Sequence, residues 1–203
     1  VMTNISKLRL VKAGTDGHSL LKQVPIRYGD TIQIMHSVND EFPPFILNGV
    51  DSNQDMVSVN SHDLEGWRVF YFYPKDFTFI CPTEIAAMDK VVEAGATVVG
   101  FSGDNEFCKH AWKEVNGGIR DIKHTLLADC GLTLSTELGI VDFNEGVCLR
   151  ATFIVDPDNV IQSVQCNALD TGRNADEVVR TLKALQAGGL TGCSWDEGDE
   201  FVA

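Results

Sequence analysis

Long apolar runs are missing from the sequence. No stretch reaches the roughly 18 apolar residues of a membrane-spanning helix. Residues 1–19 also lack the apolar segment of a secretory signal peptide. We therefore expect a cytoplasmic protein with no membrane partner.

Positive charge is scarce. The chain has 16 Lys and Arg residues against 29 Asp and Glu, for a formal net charge of −13. An electrostatic field of this sign repels phosphate backbones and anionic lipid surfaces. We therefore expect no nucleic-acid partner.

Closely spaced cysteines are also absent. The six cysteines stand at positions 81, 108, 130, 148, 166 and 193, without the spacing of a disulfide framework or a zinc site. Reduced thiols fit this pattern better than structural bridges do. The five histidines show no metal-ligand spacing either, so no metal is expected.

The regular pattern that is present predicts an α/β fold. Short apolar runs rich in β-forming residues predict strands buried on both faces at 68–73, 97–102 and 151–156. Helical patterns cover 82–95, 105–118, roughly 129–138, and 175–189, and turn residues predict a hairpin over 155–165. Strands that alternate with helices imply a sheet with helices on both faces.

The ends of the chain differ from its centre. Glycines and prolines interrupt the sequence up to about residue 60, which predicts an arm followed by edge hairpins. We expect an N-terminal arm or extension over 1–40, one compact domain over 41–189, and an acidic C-terminal tail over 190–203.

The stretch PKDFTFICPTE, residues 74–84, places Cys81 at a predicted helix start, directly before Pro82. Unpaired backbone N–H groups and the positive end of the helix dipole favour a thiolate there. Thr78 adds a hydroxyl three residues earlier, where it can assist a substrate oxygen. The alternative is a buried cysteine that only packs.

A thiolate needs a fixed positive partner, and two arginines are candidates. Arg150 precedes the predicted strand 151–156, and Arg173 precedes the last predicted helix. Either of them can also be an ordinary surface arginine. Glu84 can pair with either guanidinium, or act only as a favourable carboxylate in the first helical turn.

A redox cycle at Cys81 needs a second thiol, because the Cys-x-x-Cys motif of disulfide reductases is missing here. Cys193 is the candidate, since it lies in a glycine-rich tail that can move. The other four cysteines are expected to be small packed hydrophobic residues.

The spacing Pro74, Thr78, Cys81, continued by Pro82-Thr83-Glu84, resembles the active-site loop of the typical two-cysteine peroxiredoxins, in particular the alkyl hydroperoxide reductase C branch. The likeness covers most of the chain. It extends through Trp112, 150–157 and 172–174, and ends at 193–195.

This resemblance implies a thioredoxin-like fold, with a central mixed β-sheet flanked by helices. It also implies an antioxidant peroxidase that reduces hydrogen peroxide and organic hydroperoxides without metal or organic cofactor. Cys81 corresponds to the peroxidatic cysteine, Thr78 and Arg150 to the groups that bind the peroxide and stabilise the thiolate, and Cys193 to the resolving cysteine.

The resemblance also assigns supporting residues. Pro74 corresponds to the residue that shields the pocket, Glu84 and Arg173 to the supporting network, and Trp112 to a packing neighbour. The resolving cysteine in this family usually comes from the partner subunit of a homodimer, and dimers often close into a decamer. The expected partners are a peroxide substrate and a dithiol reductant, either thioredoxin or an AhpF-type or AhpD-type donor.

Two other functions remain open on the sequence alone. One is a disulfide oxidoreductase of similar fold, which the missing Cys-x-x-Cys motif disfavours. The other is a ring-forming holdase that binds unfolded chains, which can coexist with the peroxidase.

Overall fold

The structure is a computed structural model that describes residues 34–203. The expected N-terminal arm, 1–40, therefore lies almost entirely outside the described residues. The same holds for any edge hairpin before residue 34. The domain boundaries proposed from the sequence stay predictions.

A mixed seven-stranded sheet forms the centre of the described chain. Its strands are β1 (Ile46–Val50), β2 (Met56–Asn60), β3 (Arg68–Phe72), β4 (Thr97–Ser102), β5 (Thr125–Ala128), β8 (Arg150–Val155) and β9 (Ile161–Asn167). Their order is β2-β1-β5-β4-β3-β8-β9, and the short strands β6 (Val141–Asp142) and β7 (Val147–Cys148) form a separate pair. Strand β4 runs parallel to β3 and β5, whereas the other pairs in the large sheet are antiparallel.

The three strands predicted as buried are β3, β4 and β8, which lie side by side in the sheet. All five residues of β3 are buried, as expected for a strand covered on both faces. Strands β8 and β9 form the predicted hairpin. Strand β5 has only four residues and was not predicted.

Five helices flank the sheet within the described residues: α1 (Cys81–Ala87), α2 (Asp89–Glu93), α3 (Glu106–Val115), α4 (Thr133–Glu137) and α5 (Ala175–Ala187), with a 3₁₀ turn at Ser61–Asp63. The helix predicted over 82–95 is two short helices separated at Met88. Helix α3 ends at Val115, before the predicted glycine, whereas α5 ends at Gly188 in the left-handed conformation that favours glycine.

Alternating residues of β3 face two hydrophobic cores, since successive side chains of a strand point to opposite faces. Val69 and Tyr71 join the core that contains Cys81 and residues of α1, α2, α3 and α5. Phe70 and Phe72 join a second, phenylalanine-rich core on the face that holds α4. Cys81 is thus fixed inside the first core.

The tail, 190–203, contains no helix or strand and contacts α5, since Arg180 Nη1 donates to the Trp195 carbonyl at 3.1 Å. The Val202 amide donates a hydrogen bond to the Leu190 carbonyl at 2.9 Å. The Trp195 ring is buried and stacks on Phe201, with 6.1 Å between ring centroids. Cys193 is carried on this ordered turn.

Gly49 allows β1 and β5 to approach closely. A Cβ atom at Gly49 would lie 2.1 Å from the Leu126 carbonyl oxygen. We expect Gly49→Ala to lower the free energy of unfolding by about 2 kcal/mol, measured by urea denaturation, because the backbone must shift. Gly117→Ala is the control, since a Cβ there meets no atom within 4 Å. Equal stability changes in the two variants would contradict this packing.

Candidate active site

The loop 73–80 joins β3 to α1 and ends at Cys81, the first residue of that helix. Cys81 is fully buried, and Pro74 at the start of the loop is buried as well. Pro82 occupies an early helical position where no backbone N–H is needed. The sequence prediction of a shielded cysteine at a helix start matches this geometry.

Arg150 contacts the sulfur of Cys81. It is the first residue of β8, which pairs with β3, so its side chain starts beside the loop that leads to Cys81. The Arg150 Nη1 atom lies 3.4 Å from the Cys81 Sγ atom, and Nε donates to the Leu169 carbonyl at 2.7 Å. Burial by itself lowers the pKa of Arg150. The contacts with Cys81 and Glu84 raise this pKa by more, so that it lies above its ordinary value. The arginine is therefore a permanent cation at the sulfur.

Glu84 lies one turn after Cys81 and pairs with both candidate arginines. Its carboxylate accepts a hydrogen bond from Arg150 Nη1 and lies 3.1 Å from Arg173 Nη1. The backbone N–H of Arg173 also donates to Glu84 at 2.9 Å. The carboxylate therefore positions both guanidinium groups.

Arg173 is the second arginine of the site; its side chain is buried, and it supports the site through other residues. Its Nε donates to Thr152 at 3.1 Å and its Nη2 to the Phe72 carbonyl at 2.5 Å, and the guanidinium lies over the Tyr71 ring at 5.1 Å. Burial lowers its pKa, and the charge of Glu84 opposes this shift. Arg150, not Arg173, is the arginine that donates to Cys81.

The buried charges at this site do not cancel. Two guanidinium groups surround one carboxylate, so the cluster of Arg150, Glu84 and Arg173 carries a net positive charge beside Cys81. Buried charge is costly unless it is paired. The cluster therefore places uncompensated positive charge next to the Cys81 sulfur.

Thr78 and Trp112 both hold the active-site loop. The Thr78 hydroxyl donates to the Lys75 carbonyl at 2.9 Å. The Trp112 ring, on α3, is buried and stacks on Phe77 with 5.8 Å between centroids. Among the hydrogen bonds of residues 34–203, none joins Thr78 to Cys81.

Cys193 lies apart from Cys81. Within the described residues both are free thiols, one buried and the other exposed on the tail. The Cys193 sulfur has a weak contact with the Ser194 hydroxyl at 3.7 Å. A bond between the two sulfurs therefore requires a conformational change, a second subunit, or both.

The other four cysteines all have a raised pKa. Burial raises the pKa of Cys148 to about 12 and that of Cys108 to about 11. Burial also raises the pKa of Cys130 and of Cys166. Cys148 is packed as expected, but Cys130 and Cys166 are exposed, so the expectation of packing was wrong for those two.

Sequence reasoning missed two buried polar clusters near the site. Lys109 is fully buried against Asp76 of the active-site loop. His124 bridges Tyr71 and Asp89, with hydrogen bonds of 2.7 and 2.8 Å. The sequence carries no signal for either cluster, because a lysine or histidine between apolar residues equally fits a solvent-exposed position.

A buried cysteine at a helix start, a guanidinium in contact with its sulfur and a mixed sheet between helices define a thiol-based redox enzyme. The model of the AhpC/TSA family matches residues 38–164. Alkyl hydroperoxide reductase C of Mycolicibacterium smegmatis is 40% identical, over 82% of this chain and 93% of the relative. Alkyl hydroperoxide reductase C of Mycobacterium tuberculosis is 38% identical, over 80% and 91%.

Solved structures agree with this result. The reduced 2-Cys peroxiredoxin of Plasmodium vivax has a TM-score of 0.76 and 33% identity, over 81% of this chain and 92% of that one. Mycobacterium tuberculosis AhpC has a TM-score of 0.71 and 38% identity, over 79% and 98%. The chain belongs to the AhpC/TSA family. The thioredoxin-like fold and the peroxiredoxin class of enzyme expected from the sequence are confirmed.

Proposed function

We propose that this protein reduces hydrogen peroxide and organic hydroperoxides at Cys81, in antioxidant defence and redox homeostasis. The observation that carries the proposal is the contact of Arg150 with the Cys81 sulfur at 3.4 Å, inside a cluster with excess positive charge. Membership of the AhpC/TSA family supports it.

The first step is attack of the Cys81 thiolate on the terminal oxygen of the peroxide. A sulfur–oxygen bond forms, the oxygen–oxygen bond breaks, and the leaving oxygen takes a proton from solvent to give water or an alcohol. Cys81 becomes a sulfenic acid. In this proposal, Arg150 stabilises the charge that develops on the leaving oxygen. Thr78 assists after its hydroxyl rotates from the Lys75 carbonyl toward the peroxide.

The supporting residues act through Arg150 and the loop. Glu84 fixes the Arg150 guanidinium, and Arg173 holds Glu84 in turn. Pro74 shields the sulfur from bulk water, and Trp112 packs beneath the loop at Phe77.

The second step is condensation with Cys193. The Cys193 thiol attacks the Cys81 sulfenic acid, water leaves, and a disulfide forms. Because Cys81 is buried at the start of α1, this helix start must unwind first. The seven-residue α1 is short enough to do so, since isolated helices of this length are marginal.

The partners are proposed from this cycle and from membership of the AhpC/TSA family. We propose that Cys193 comes from the second subunit of a homodimer, that dimers assemble to a decamer, and that thioredoxin or an AhpF-type or AhpD-type dithiol reduces the disulfide by exchange. The cytoplasmic location stays a prediction. Across residues 34–203, no helix is sufficiently long and apolar to span a bilayer.

The test is peroxide consumption by the reduced protein with thioredoxin and its reductase. We expect one molecule of dithiol to be oxidised for each molecule of hydrogen peroxide or organic hydroperoxide consumed. A parallel assay with a model disulfide and no peroxide separates the disulfide oxidoreductase alternative. Rapid exchange with the model disulfide, together with no peroxide consumption in the first assay, would refute the proposed peroxidase function.

A further inference from the structure

Lys109 is a buried lysine that the chemistry above does not use. It lies on α3, and its side chain is fully buried. The Nζ atom donates to the Ser102 hydroxyl at 2.5 Å and to the Tyr73 hydroxyl at 3.2 Å, and it lies 3.4 Å from the Asp76 carboxylate. Every donor position of the ammonium group is therefore directed at the end of β3, the end of β4 or the active-site loop.

Asp76 belongs to the active-site loop, two residues before Thr78. Its carboxylate is nearly fully buried, and its backbone N–H donates to Asp104 at 2.8 Å. Burial raises the pKa of Asp76, and the charge of Lys109 opposes this shift. Lys109 forms its ion pair with Asp76 alone among residues 34–203, so the pair ties the loop to α3.

Phe77, the next residue of the loop, needs support from α3. Phe77 has φ of +55°, a left-handed conformation that is costly for a residue with a Cβ atom, and its side chain is largely exposed. Trp112 stacks on Phe77 from the same face of α3, one turn after Lys109. Helix α3 therefore holds two consecutive loop residues, one by charge and one by ring stacking.

We propose that the Lys109–Asp76 ion pair is a loop anchor, which keeps loop 73–80 closed over Cys81 and thereby sets the rate of disulfide formation with Cys193. This inference rests on the proposed function. Lys109 is a positioning residue, because it acts on Cys81 only through the loop that precedes α1.

The anchor affects the two chemical steps differently. Oxidation of Cys81 takes place in the closed state, next to Arg150, which is the state that the structure describes. Disulfide formation takes place from the open state, whose small population rises when the anchor is lost. Weakening the anchor therefore accelerates the second step and leaves the first nearly unchanged.

The experiment compares Lys109→Met with Lys113→Met. Lys113 lies one turn later on α3 and is equally buried, but its Nζ donates to the Asp51 carbonyl between β1 and β2. Stopped-flow fluorescence after mixing with hydrogen peroxide gives the rate constants of both steps, and thermal unfolding gives stability. Non-reducing peptide mapping confirms which disulfide forms.

We expect Lys109→Met to form the disulfide at least about tenfold faster, with less than about a twofold change in Cys81 oxidation, because removing Lys109 leaves the Asp76 carboxylate buried without its cation and so favours the open loop. The fraction of Cys81 that reaches sulfinic acid at high peroxide falls accordingly. Lys113→Met is expected to lose stability with both rate constants unchanged.

Disulfide formation at the wild-type rate in a folded Lys109→Met protein would overturn the proposal, as would an equal change in Lys113→Met. Loss of Cys81 oxidation in Lys109→Met alone would also overturn it. If Lys109→Met does not fold, the variant Lys109→Met with Asp76→Asn removes both charges and is expected to form the disulfide faster than the wild type, but by a smaller factor, because no buried charge is left unpaired. Slow oxidation of the wild type would instead contradict the proposed function itself.

Discussion

Replacing Arg150 by methionine is expected to slow the oxidation of Cys81 by hydrogen peroxide by about 10²–10³-fold, the usual cost of one lost donor to a developing oxyanion. The physical reason is direct contact. Arg150 donates to the Cys81 sulfur and is held by Glu84 and the Leu169 carbonyl. Methionine fills a similar volume, but it supplies neither charge nor donor to the thiolate.

The measurement is the second-order rate constant of oxidation at several peroxide concentrations. Arg68→Met is the matched control, because Arg68 is as buried as Arg150 but bonds to the Asp156 carbonyl at the opposite end of β3. We expect the control to lose stability and keep its rate. Arg150→Lys keeps the charge without the guanidinium fork and is expected to fall between wild type and Arg150→Met. Oxidation of Arg150→Met at the wild-type rate would refute the role of this arginine.

Replacing Cys193 by serine is expected to leave the first oxidation unchanged and to lower turnover with thioredoxin by at least about 10²-fold. A tethered thiol acts at a high effective concentration, which a free donor does not reach. The sulfenic acid also forms on a sulfur that is fully buried, where a protein donor has no access. Cys81 then accumulates as sulfenic and, at high peroxide, sulfinic acid.

The measurement is peroxide consumption by Cys193→Ser over time. We expect one equivalent of peroxide to be consumed rapidly, followed by a slow phase. Cys166→Ser is the control, since Cys166 is a second exposed thiol, on β9. We expect this variant to turn over like wild type. Lost turnover in Cys166→Ser, with Cys193→Ser still active, would show that the resolving cysteine was assigned to the wrong residue.

Much of the sheet was predictable, because buried strands have a distinct composition. Strands β3, β4 and β8 are apolar on both faces, and this pattern is visible in the sequence. Strand β5 has four residues, fewer than a pattern needs to be recognised. The break between α1 and α2 was also hidden, since Met88 at the break is itself buried in the core and continues the apolar pattern.

The candidate site was also predictable only in part. Cys81 and its loop form one continuous motif, so the sequence shows them together. Arg150 and Cys81 are 69 residues apart, and only the pairing of β3 with β8 brings the guanidinium to the sulfur. The loop anchor was not predictable, because a lysine on a helix is normally exposed and Lys109 is buried only where α3 packs on the loop.

The central claim is that Cys81 is the sulfur that peroxide oxidises. The most direct test mixes reduced protein with one equivalent of hydrogen peroxide and maps the modified peptides under non-reducing conditions, for wild type and Cys81→Ser. We predict fast oxidation at Cys81, a disulfide between Cys81 and Cys193 of two subunits, and no fast phase in Cys81→Ser. Oxidation of Cys81 no faster than that of Cys108 or Cys166 would contradict the account.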